Sequence, residues 1–241
     1  MPRKKVPGIP FTSLPHSSPE MDAALDNLDR AFAKMPCPAP ERFRYDFDAS
    51  SPYKKIPELE EKRRIIFAIL GESEGASINT SNIMQVKSLS IYMEKDAFLY
   101  ILPKMLRASL DWWKERVAEE PTVAAAFLAK RQPIALADWR ENALAEYIFF
   151  TTSMFNDFCD LRGRPINLEK CHRDRRYEIE QRAEKAKIIA PYMTKAMRRT
   201  LKAYIVAWCK VFGQVYYEPE YGPKNPIQCA CYVMKPYTSW L

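Results

Sequence analysis

The sequence predicts an all-α protein, a single bundle-like domain of several helices, and three observations carry that expectation. In Ala97 to Trp113 the residues Phe98, Leu102, Leu106, Leu110 and Trp113 recur at spacings of three and four, the period of one helix face. Leu99, Ile101, Met105 and Trp112 widen that face until little polar circumference remains, which suits a helix in the middle of a bundle. Glycine is scarce, at 6 of 241 residues, while 19 prolines fall largely at the two ends and between periodic stretches, as punctuation between helices.

Taken in order, residues 1–17 are expected to form a flexible basic arm, 18–212 the helical domain and 213–241 an irregular tail rich in aromatics and proline. Ser18 followed by Pro19 is a helix start, a capping hydroxyl and then proline at the first helical position. Met21, Leu25, Leu28 and Phe32 give that helix its buried stripe, and it should end before Pro36. Glu41 to Asp48 alternates charged and aromatic residues, which predicts a short strand or an extended segment over the core. A helix is predicted from Pro57 to Leu70, stopped by Gly71, and the polar stretch Gly71 to Asn82 reads as a loop.

Pro103 falls inside the central apolar stretch, so a kink or a new helix start is expected there. Pro121 should halt this helix near Glu119, and an Ala-rich helix from Thr122 to Lys130 should be closed by Pro133. Asp138 with Glu141 reads as an acidic capping box opening a long helix to about Leu161. A basic segment follows over Asn167 to Ile189. The last helix is expected over Thr194 to Phe212, with Met197, Leu201, Tyr204, Ile205, Trp208 and Val211 or Phe212 inward. Beyond Gly213 no helical period remains.

The stretch DAFLYILPKMLRASL resembles the signature of an uncharacterised family of small helical bacterial proteins, in which an aromatic helix is broken by a Leu-Pro step. YMTKAMRRTLKAYIVAW is similar to that family's closing amphipathic helix. The resemblance implies a helical fold and transfers no activity; the arm, the tail and the basic stretch around Arg173 depart from the family pattern.

The net charge is +7, and it is not spread evenly. Asp160 to Lys202 holds thirteen Lys and Arg against six Asp and Glu, while the rest of the chain balances. Arg162, Arg164, Arg173, Arg175 and Arg176, with Arg198, Arg199 and Lys202 from the last helix, are the expected partner-binding residues. Their guanidinium forks suit carboxylate or phosphate. An acidic protein partner is expected first and nucleic acid second, since Tyr177 and Tyr192 could stack on bases.

Enzyme chemistry finds little support. His16 lies in the arm, and Cys171 and His172 diverge by about 100° if helical. Cys229 and Cys231 form an isolated C-x-C, and the carboxylates Glu119 and Glu120 read as part of a charged helix surface. An enzyme with an unrecognised site ranks third, so no catalytic residue, metal or cofactor is assigned. No apolar run reaches the length of a membrane span, so no membrane partner is expected. The N-terminus lacks the apolar block of a signal peptide, and reduced cysteines in a cytoplasmic protein are the expectation.

Overall fold

The computed structural model describes residues 13–38, 78–84, 86, 95–160, 190–212, 216–217 and 228–229. The expected strand at 41–48, the helix at 57–70 and most of the basic segment lie outside them. Within the described residues the protein is all-α, built on helices α1 (Pro19–Phe32), α2 (Lys95–Ala129), α3 (Pro133–Asp160) and α4 (Lys195–Phe212). A 3-10 turn at Ala190–Tyr192 leads into α4. In the tail, β1 (Tyr216–Tyr217) pairs antiparallel with β2 (Gln228–Cys229).

Helix α1 starts where the sequence places it. The Ser18 hydroxyl accepts from the Met21 amide at 3.1 Å, and Pro19 follows with no amide to satisfy. At α4 the Thr194 hydroxyl accepts from the Met197 amide at 3.2 Å in the same way. The stripes of both helices are buried, and in α4 it is Phe212 that closes the inward face.

No new helix starts at Pro103, and the stop expected at Pro121 fails. Helix α2 runs unbroken for 35 residues with Pro103 and Pro121 inside it. Each proline removes one ladder bond at a cost of about 3 kcal/mol. Against Pro103 stands the complete burial of Phe98, Leu99, Leu102, Met105 and Leu106, each contributing about 1.5–3 kcal/mol. Pro121 is exposed, so water can reach the carbonyl it leaves unpaired. Helix α3 begins at Pro133 rather than at Asp138: Pro133 takes the first helical position, and Asp138 lies inside the helix.

Ion pairs show how the helices run. Lys114 meets Asp22 at 2.7 Å and Arg107 meets Asp26 at 2.6 Å, so α1 and α2 are antiparallel. Lys210 reaches Glu20 at 2.6 Å, which makes α4 antiparallel to α1. Glu120 faces Arg140 while Trp113 stacks on Tyr147 at 4.9 Å, so α3 runs back along α2. Trp113, Tyr147, Trp208 and Phe212 form one aromatic knot, with Phe212 at 5.6 Å from Trp113 and 5.4 Å from Trp208.

Leu14 and Pro15, expected within a loose arm, are packed against the bundle. Leu14 is buried, its amide donates to Glu120 Oε2 at 2.9 Å, and Trp113 Nε1 donates to the Pro15 carbonyl at 2.9 Å. Glu120 is accordingly buried and not part of a solvated surface.

Candidate functional site

The first two turns of α4 carry Lys195, Arg198, Arg199 and Lys202. Positions 195, 199 and 202 share one exposed stripe, continued by Val206, and Arg198 is half-buried beside it. The opposite face holds Met197, Leu201, Tyr204 and Ile205 in the core, so amphipathic packing fixes the direction of the cations.

These charges differ in their company from several other helix cations. Arg107, Lys114, Arg116, Arg140 and Lys210 each meet a carboxylate. Among the described residues, Arg198, Arg199 and Lys202 meet none. Lys195, in the first turn, also stands at the wrong end of a helix for stability. The N-terminus of a helix carries partial positive charge, which favours acidic residues, yet the first turn of α4 has none. Cations and helix terminus therefore add to one positive field.

The same end of the bundle gathers more positive charge. Lys95, at the start of α2, places Nζ 5.4 Å from the ring centroid of Tyr192, which is 48% exposed. Lys104 lies 4.1 Å over the ring of Tyr100, and burial draws its pKa down, opposed by the charge of Cys37. Helix α3 ends at Asp160 and the 3-10 turn begins at Ala190, so the intervening basic stretch joins the described chain at this end. Arg162, Arg164, Arg173, Arg175 and Arg176 fall in that stretch, outside the described residues. Of the expected partner-binding residues, Arg198, Arg199 and Lys202 are thus brought onto one helix. Lys95 and Lys195 join them. Lys95 could not be assigned from sequence, because its meeting with Tyr192 spans almost half the chain.

A second group is chemically unusual for its burial. Tyr147, Thr151, Tyr204 and Trp208 are fully buried between α3 and α4, and none of their four polar side-chain atoms makes a well-formed hydrogen bond. Burial pushes both tyrosine hydroxyls well above their ordinary pKa; for Tyr147, the nearby Trp208, Thr151 and Tyr204 partly oppose the rise. The hydroxyls are neutral, fully buried groups in the core. A cleft lined by Ile83, Met84, Ser109, Trp112, Glu146 and Phe150 has about 10 Å³ of room, enough for one water. Among the described residues no group of His, Cys, Asp and Glu is arranged to hold a metal ion, and no helix is long and apolar enough to cross a membrane. Cys209 is half-buried and Cys37 exposed. The chain matches no protein family, no curated protein and no solved structure.

Proposed function

We propose that the chain is a non-enzymatic, cytoplasmic binding or accessory protein that engages an acidic protein partner through the basic face of residues 160–202. The observation that carries this reading is the stripe of Lys195, Arg199 and Lys202, flanked by Arg198, on the first turns of α4, where none meets a carboxylate among the described residues. A cation in the first turn, as Lys195 is, costs roughly 0.3–1 kcal/mol of helix stability. Without a carboxylate partner among the described residues, they attract an anion. Arginine adds bidentate geometry for carboxylates.

Nucleic acid is the second reading, favoured by the exposed ring of Tyr192 beside these cations. Retention on immobilised oligo(dT) as salt is raised separates the two, since neutralised phosphates give a steep, sequence-independent slope. The leading reading requires capture of an acidic protein from the native host, abolished when Arg198, Arg199 and Lys202 are changed to Glu. Oligo(dT) retention with that steep slope, lost in the same variant, would replace it with the second reading.

A further inference from the structure

The far end of the molecule has a different character. Helices α1 and α4 stop near the level of Trp113 and Lys114, as the pairs Asp22–Lys114 and Trp113–Phe212 show. Helix α2 continues past Glu120 to Ala129, and α3 returns from Pro133, so the two project as a hairpin. No residue from Pro121 to Ala135 is buried. From Pro121 to Ala137 the sequence is PTVAAAFLAKRQPIALA, whose only charges are Lys130 and Arg131. Leu128 is 57% and Ile134 76% exposed, one on each side of the turn.

The turn itself closes α2 by a paired capping pattern. The Gln132 amide donates to the Phe127 carbonyl at 2.9 Å, and the Arg131 amide to the Leu128 carbonyl at 2.9 Å. That pattern puts its penultimate residue in the left-handed region, where glycine is the usual occupant. Here it is Arg131, at φ 55°. A cation is held at the apex in a conformation its Cβ resists.

We propose that this hairpin tip docks on an anionic lipid surface, with Leu128 and Ile134 entering the headgroup–acyl boundary and Lys130 and Arg131 meeting lipid phosphates. Complementary charge is the first argument: the apex is cationic and free of carboxylates over its whole projecting length. Layering is the second, because exposed aliphatic side chains beside cations match the order of a bilayer interface. A second copy of the chain is disfavoured, since apposed tips would bring like charges together. Docking of this kind needs no spanning helix, and it stands independently of the basic face.

The test is sedimentation of the purified chain with phosphatidylcholine vesicles, with and without phosphatidylserine. Binding is expected to the anionic vesicles alone. Ile134→Ser and Leu128→Ser, which leave charge unchanged at exposed positions, should each weaken it about tenfold. Arg131→Gly should weaken it about 5-fold while the far-UV spectrum stays that of the wild type. Lys195, Arg199 and Lys202 changed together to Glu should retain the dependence on Ile134. The proposal is overturned if the wild type does not sediment, as a tip that fits a protein groove would behave. It is equally overturned if the Ser variants bind like the wild type, which would mean charge alone acts. Concentration-dependent self-association lost in Ile134→Ser would overturn it in favour of a second copy.

Discussion

Leu14 and Glu120 are joined across 106 residues of sequence by one hydrogen bond, amide to carboxylate, at 2.9 Å in a buried place. The other carboxylate oxygen receives Arg140 Nε at 2.5 Å. One side chain thus fastens the segment before α1 to both α2 and α3. Glu120→Ala should destabilise the protein by about 2 kcal/mol, because it removes the acceptor of the buried Leu14 amide and an ion pair of Arg140 together. Arg140→Ala should cost less, since the Leu14 amide keeps its acceptor. Urea denaturation measures both. An Ala variant at Glu120 with the wild-type midpoint would mean that the latch carries no load.

Leu106 is completely buried on the apolar wall of α2. Leu106→Ala should destabilise by about 2–5 kcal/mol through lost burial and an incompletely collapsed cavity. An unchanged unfolding midpoint would show that the core lies elsewhere.

Tyr147 and Tyr204 keep neutral hydroxyls because burial raises their pKa above 10.0. The folded state then holds protons that the unfolded chain gives up. Their contribution is intact below about pH 10 and drains away as pH rises through the folded-state values. Each tyrosine can steepen the loss by up to about 1.4 kcal/mol per pH unit. Tyr204→Phe should therefore flatten the alkaline arm of the stability profile. At pH 7 it should be neutral or slightly stabilising, since it removes a buried hydroxyl without a well-formed hydrogen bond. A loss of more than about 1 kcal/mol at pH 7 would show a hydrogen bond of real strength there.

Arg131→Gly has a predictable sign in the fold as well. Release from the left-handed region is worth about 1–2 kcal/mol, against about 0.4–1 kcal/mol for the freer unfolded chain. The net gain should be small and positive, visible as a raised urea midpoint. A lowered midpoint would indicate contacts of the Arg131 side chain that outweigh its strained backbone.

Arg173, Arg175 and Arg176 changed together to Glu should abolish partner binding and leave helicity intact. Lys in the same places should weaken binding less than Glu does, because charge remains while the fork is lost. Lys54, Lys55 and Lys62 changed to Glu form the control. Equal weakening by both charge reversals would reduce the effect to net charge, and no weakening by either would make the segment an ordinary solvated surface.

Helices α1 and α4 were legible because local signals agreed: a capping hydroxyl, a stripe at helical spacing and a stop. The continuity of α2 was not legible. Proline reads locally as a terminator, and only the burial of its neighbours, a property of the whole bundle, overrides it. Glu120 beside Glu119 looks like surface charge, since nothing nearby in sequence announces Leu14 or Arg140. The site was legible in part. The clustering of positive charge could be counted along the chain, but the approach of Lys95 to Tyr192 and the projection of the α2–α3 tip are consequences of packing.

The unbroken course of α2 has a mechanical consequence. At 1.5 Å per residue its 35 residues measure about 50 Å along the helix, from Lys95 to Ala129 beside the hairpin tip. A break at Pro103 or Pro121 would have made that distance a variable. As one continuous helix, braced by neighbouring helices over much of its length, α2 fixes the length of backbone between whatever is engaged at its two ends.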